Sequence, residues 1–77
     1  MNHLEESQFL TRRETEIAQL VALGRSRKEI AYDLGIATGT LHTHLKNIFC
    51  KLKTRSMTET AIWVIKNPSS ILIYNSL

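Results

Sequence analysis

Basic side chains are concentrated in the middle of this 77-residue chain, where their chemistry would be the binding of phosphate groups. Residues 25–55 carry seven Lys or Arg and two Asp or Glu, a net charge of +5, whereas residues 1–24 carry −2 and residues 56–77 are neutral. An ordinary solvated basic surface would give the same charge count. The helices and turns that position these side chains must therefore decide between that reading and phosphate binding. No nucleophile, base and orienting acid converge in the sequence, so we expect no enzyme.

The rest of the composition excludes several other classes. Cys50 is the single cysteine, which allows no internal disulfide or zinc-finger spacing, and we expect it to be a small half-buried hydrophobe. The longest apolar run, 61–65, is far shorter than the ~18 residues of a membrane span, and the N-terminus has acids where a signal peptide is apolar. We expect a cytoplasmic protein without metal, cofactor or membrane contact.

Capping boxes, in which a Ser or Thr and a Glu three residues later exchange hydrogen bonds with the backbone, mark three helix starts. They are Thr11 with Glu14, Ser26 with Glu29, and Ser56 with Glu59. Apolar residues at helical spacing follow each box, Gly24 and Gly35 suit helix ends, and Pro68 limits the last helix. The sequence predicts an all-α fold with helices over about 12–23, 27–34, 38–53 and 57–66.

The third predicted helix carries one apolar stripe, so its opposite face must be exposed. The stripe consists of Leu41, Leu45, Ile48 and Leu52, and the outward positions are Gly39, His42, Thr43, Lys46, Asn47 and Cys50. His44 lies at the edge of the stripe and is expected to be partly buried. A short helix, a three-residue turn at 35–37 and this longer helix have the helix-turn-helix layout.

The sequence from LTRRE through GRSRKEIA to NIFCKL resembles the DNA-binding domain of the LuxR family of bacterial transcription regulators, the GerE or NarL type. The residues that match the family pattern are Leu10, Thr11, Arg13, Glu14, Gly24, Ser26, Lys28, Glu29, Ile30, Ala31, Leu34, Ile36, Thr40, His44, Asn47, Ile48, Lys51 and Leu52. The resemblance covers residues 10–66. It implies a four-helix domain that binds double-stranded DNA sequence-specifically. Outside the matched segment, we expect residues 1–9 to be a flexible arm and residues 67–77 to be a C-terminal tail.

In that reading the third helix enters the major groove, and the first turns of a recognition helix reach the base edges. His42, Thr43 and Lys46 are the predicted base contacts, since Lys donates to guanine and the Thr methyl touches thymine. Side chains that flank them are expected to contact phosphates. These are Arg27, Lys28, Thr38, Thr40, Asn47, Lys51 and Lys53.

The middle of the fourth predicted helix, residues 61–65, is apolar on every side, and a domain this small cannot bury all of these side chains alone. Either the segment 71–74 folds back over it, or a second subunit covers it, as the resemblance implies for a homodimer. The predicted dimer interface is Ala61, Ile62, Trp63 and Ile65. For Trp63, a place in the domain's own core is the alternative.

Some positions depart from the family pattern. Ala37 replaces a capping Ser, so the third helix either lacks its cap or starts one residue later with Thr38 as the cap. Gly39 weakens its first turn, and His42 replaces the usual Lys. The junction before the fourth helix, where Thr54 and Met57 depart, is the least certain match.

The rival hypothesis is a protein-interaction module. Such a domain would heterodimerise with another regulator or contact RNA polymerase, without specific DNA binding of its own. These 77 residues leave no room for a receiver or ligand-sensing domain beside the helix-turn-helix.

Overall fold

The computed structural model describes residues 10–68, which form four helices and no strand. In chain order they are α1 (Arg12–Ala22), α2 (Arg27–Leu34), α3 (Thr38–Leu52) and α4 (Met57–Lys66). The all-α prediction is confirmed, and α2 and α4 have the predicted bounds. The predicted arm at 1–9 and the segment 71–74 lie outside the described residues.

Two of the three predicted capping boxes are complete. Glu14 and Glu29 each return the hydrogen bond to the backbone of their cap residue, at 2.9 Å. At α4, Ser56 accepts from the Glu59 N–H at 3.1 Å, but the Glu59 carboxylate accepts from the Arg55 N–H at 2.8 Å. The predicted return bond to Ser56 is therefore wrong. Ser56 is more extended, with φ −156° against −70° and −77° at the other two caps, which turns its N–H away.

The core lies where α1 packs across the other three helices. The stripe of α3 predicted from the sequence is buried, with Leu41, Leu45 and Ile48 at most 1% exposed. Ile17 from α1 and Ile30 from α2 are completely buried beside it. Because burying apolar surface contributes about 25 cal/mol per Å², this stripe fixes the rotation of α3 about its own axis. The opposite face of α3 must therefore point away from the domain.

A tight glycine turn joins α2 to α3. Gly35 ends α2 in the left-handed conformation, with φ 66°, which glycine adopts without strain. The Ile36 N–H then donates to the Ala31 carbonyl at 3.0 Å, the bond that closes a Schellman motif. Ile36 packs against the core, so the turn is held at both ends and sets the angle between α2 and α3.

The corner between α3 and α4 is held by two threonine hydroxyls. Lys53 ends α3 in the left-handed conformation, with φ 59°. Thr60, which is completely buried, donates to the Ser56 carbonyl at 2.9 Å, so its oxygen accepts from the Thr54 hydroxyl at 2.7 Å. Thr54, one of the departures from the family pattern, is thus accounted for by a hydrogen bond that an aliphatic residue could not make.

The start of α3 has a cap residue without a capping side chain. Ala37 occupies the cap position with φ −70° and ψ 151°, and α3 begins at Thr38, so the alternative of a start one residue later is wrong. The backbone already suits a serine cap, whose conformation at Ser26 is almost the same, φ −77° and ψ 164°.

Ala37→Ser is therefore expected to raise the free energy of unfolding by about 1 kcal/mol, because a cap hydroxyl satisfies one backbone N–H. For a domain of this size that raises the thermal midpoint by about 4–8 °C. Thermal unfolding followed by circular dichroism measures it. Ser26→Ala, which removes the equivalent bond from α2, serves as the matched control and should lower stability by a similar amount. An unchanged midpoint for Ala37→Ser would contradict the prediction.

Candidate nucleic-acid interface

Four residues line the side of α3 that faces directly away from the core. Gly39, Thr43, Lys46 and Cys50 recur at steps of 4, 3 and 4, so at 100° per residue they lie within about 60° of one another. All four are exposed. We call this set the outer ridge of α3. The expectation that Cys50 is half-buried is wrong, because it lies on the ridge rather than at the edge of the buried stripe.

The three predicted base contacts share this surface. His42 flanks the outer ridge on one side, and Thr43 and Lys46 belong to it; all three are exposed. The Thr43 hydroxyl donates to the Gly39 carbonyl at 3.3 Å, a bond within α3 itself. His44 is partly buried, as predicted. The structure thus brings the three candidates together within two turns of one exposed helix face.

Six of the seven predicted phosphate contacts are also exposed: Arg27, Lys28, Thr38, Thr40, Asn47 and Lys53. Arg27 and Lys28 open α2, where backbone N–H groups and the helix dipole favour an anion. Thr38 and Thr40 lie in the first turn of α3. Within residues 10–68, the cations of this set and Lys46 form no ion pair with a carboxylate. No carboxylate in this part of the chain therefore pairs with their charges.

Lys51 is placed differently from the other six. Its Nζ donates to Glu14 Oε1 at 2.8 Å, and the side chains are 22% and 5% exposed. The same Glu14 oxygen accepts the Thr11 N–H at 2.9 Å. One carboxylate thus joins the start of α1 to the end of α3. Sequence reasoning missed this pair because its partners stand 37 residues apart, beyond any local spacing rule.

The open side of α4 carries two apolar side chains. Ile62 and Ile65 are 47% and 65% exposed. Ala61 and Trp63, predicted with them as an interface, are partly buried and pack against the domain's own core. A shallow groove between the end of α3 and α4 continues the exposed patch, lined in part by Leu52, Ile62, Trp63 and Lys66. The apolar surface left open is narrower than predicted and centred on Ile62 and Ile65.

A short helix, a tight glycine turn and a longer helix with an exposed polar ridge define a helix-turn-helix domain. The chain belongs to the luxR family of bacterial regulatory proteins, whose family model matches residues 8–64. The family predicted from the sequence motifs is therefore confirmed.

Individual relatives in that family include regulators from two bacterial species. The chain is 40% identical over 62 residues to the CsgBAC operon transcriptional regulatory protein of Escherichia coli strain K12, covering 80% of this chain and 29% of that protein. It is 41% identical over 58 residues to the transcriptional regulatory protein LiaR of Bacillus subtilis strain 168, covering 75% and 28%. It is 42% identical over 55 residues to the nitrate/nitrite response regulator protein NarL of E. coli K12, covering 71% and 26%.

The chain spans less than a third of the length of these relatives. The stretch that the family model matches, residues 8–64, contains α1, α2 and α3 and all but the last two residues of α4. Within residues 10–68, no helix combines the length and apolar character needed to cross a membrane.

Proposed function

We propose that this chain binds double-stranded DNA sequence-specifically to regulate bacterial transcription, as a binding domain rather than an enzyme, in the cytoplasm and on the nucleoid. The observation that carries the proposal is the outer ridge of α3, an exposed polar and basic surface directly opposite the buried stripe of a helix-turn-helix. Membership of the luxR family supports it. In the proposed complex α3 lies in the major groove.

Base recognition is assigned to His42, Thr43 and Lys46. Lys46 would donate to O6 and N7 of guanine, and the methyl group of the exposed Thr43 would contact a thymine methyl. His42 offers a ring nitrogen that can donate or accept. Because the three side chains lie within two turns of α3, they would read neighbouring base pairs.

Phosphate contacts are assigned to the exposed groups around the ridge. Arg27 and Lys28, at the start of α2, would contact phosphates on one side of the ridge. Lys53, just past the end of α3, would contact phosphates at the far end. Thr38, Thr40 and Asn47 contribute neutral donors. We remove Lys51 from this set, because its ammonium group already has a carboxylate partner in Glu14.

The proposed complex is a homodimer that pairs through the open side of α4. Ile62 and Ile65 would bury against their counterparts in a second copy, with the exposed part of Trp63 at the margin. Two-fold pairing predicts a palindromic site whose half-sites lie about 10 base pairs apart, or at a similar fixed spacing.

The experiment that tests the proposal is selection of bound sites from random duplex DNA by the purified chain. A recovered palindromic motif is the expected result. Recovery of no motif would contradict specific DNA binding. It would instead favour the rival hypothesis, in which α4 docks another regulator or RNA polymerase.

Lys46→Ala is expected to cost about 1–3 kcal/mol of binding free energy per half-site and to relax the base preference at one position of each half-site, because each subunit loses one base contact. Lys28→Ala is the comparison, since it removes a predicted phosphate contact of equal charge.

The Lys28 variant should weaken binding evenly across sequences and reduce the slope of log affinity against log salt by about 0.9 per subunit, or about 1.8 for the proposed homodimer. Binding curves at several salt concentrations, on the selected site and on scrambled DNA, separate the two effects. An even loss for Lys46→Ala as well would remove Lys46 from the base contacts.

A further inference from the structure

Gly39 opens the outer ridge of α3 at a position where the fold itself does not require glycine. Gly24 and Gly35 adopt left-handed backbone conformations, with φ 87° and 66°, whereas Gly39 lies in ordinary helix. A Cβ atom built on Gly39 meets no atom of residues 10–68 within 4 Å. Neither the backbone conformation nor the packing within the described part of the domain therefore requires glycine at position 39.

Glycine at this position weakens the helix. Of the residues measured in helices, only proline is less favourable than glycine. The same turn of α3 also lacks a side-chain cap, because Ala37 makes no cap hydrogen bond. The helix that should present the reading surface is thus weak at its leading end, and alanine at 39 would strengthen it without a clash. A structural reason for glycine must then lie outside residues 10–68.

The place of Gly39 on the surface indicates what that reason is. It lies one turn before Thr43 and two turns before Lys46 on the outer ridge, and its carbonyl accepts the Thr43 hydroxyl. Thr38 and Thr40 stand on either side of it, about 100° away around the helix. The middle of the leading turn is bare backbone, with a hydroxyl on each flank.

Glycine is the residue that lets a backbone approach another molecule most closely. We propose that Gly39 is the point of closest contact between α3 and the floor of the DNA major groove, and that its missing side chain determines how deeply α3 enters. This inference rests on the proposed function. Any side chain at 39 would hold the helix away from the bases and lengthen the contacts made by Thr43 and Lys46.

Gly39→Ala provides the test, because stability and DNA binding should move in opposite directions. The thermal midpoint should rise by about 2–6 °C, as expected for replacing glycine in a helix. Affinity for the selected site should fall at least ten-fold, roughly the loss of one good base contact. Gly39→Leu should bind still more weakly, although leucine favours the helix. Circular dichroism and titration of the selected duplex provide the two readouts.

Ala37→Ser is the matched control. It strengthens the same turn but adds no bulk to the outer ridge, so its affinity should not fall. If Ala37→Ser loses affinity in parallel with Gly39→Ala, stiffening of the helix explains the loss and the inference is overturned. Undiminished binding by Gly39→Ala also overturns it, as does a fall in its thermal midpoint. A wild-type chain that selects no motif contradicts the proposed function before any variant is made.

Discussion

Replacing Ile62 and Ile65 together by Gln is expected to make the proposed dimer monomeric and to lower its affinity for a duplex with two half-sites by about 100-fold. The two residues are 47% and 65% exposed and lie outside the buried core, so the monomer should keep its fold. The loss comes from avidity, because a dimer binds its second half-site as an intramolecular step. Gln leaves the net charge unchanged and favours helix.

Two comparisons isolate this effect. Leu23→Gln changes another exposed apolar residue, 76% exposed and just past the end of α1, and should leave DNA affinity unchanged. A duplex carrying one half-site should bind the double variant and the wild type equally. Sedimentation equilibrium gives the oligomeric state, and titration of each duplex gives the affinities. Equal binding of both proteins to the two-half-site duplex would contradict pairing through α4.

Lys51→Met is expected to lower the free energy of unfolding by about 3 kcal/mol, because it leaves the nearly buried Glu14 carboxylate without its ammonium partner. A domain of this length has a total stability of roughly 4–12 kcal/mol, so the loss is a large fraction of it. Urea unfolding measures the change. Lys46→Met, on the exposed face of the same helix, is the matched control and should change stability by less than about 0.5 kcal/mol.

Substitutions at the two partners of this ion pair should lower the free energy of unfolding by different amounts. Glu14→Gln leaves the ammonium group of Lys51, whose side chain is 22% exposed, free to turn toward water, so it should cost less than Lys51→Met. In the double variant no buried charge is left uncompensated, and it should be more stable than Lys51→Met alone. A double variant less stable than either single one would show that the pair is not coupled as the structure implies.

Local sequence rules predicted most of this fold because its helices are bounded by local signals. Thr11 and Ser26 cap as their spacing predicts, and Gly35 ends α2 in the conformation that glycine favours. The apolar stripe of α3 fixed which side would be exposed, and with it the positions of Thr43 and Lys46. The family resemblance then gave these positions their expected role.

The features that escaped prediction depend on distances between helices or on small backbone differences. Lys51 looked like the other basic residues near the end of α3 until the fold placed it beside Glu14. Glu59 bonds Arg55 because Ser56 is more extended than the other caps. Ala61 and Trp63 could not be separated from Ile62 and Ile65 by periodicity, since residues 61–65 are all apolar and only packing against α1 decides which side of α4 is buried.

The corner between α3 and α4 would influence which promoters the proposed dimer binds. A hydroxyl pair, Thr54 with Thr60, ties the end of α3 to the start of α4 at 2.7 Å. In the proposed dimer this corner sets both the distance between the two reading helices and their rotation about the DNA axis. Each added base pair turns one half-site by about 35° relative to the other. The proposed dimer would thus select operators by half-site spacing as well as by sequence. It would bind weakly to operators whose half-sites have the correct bases but a different spacing.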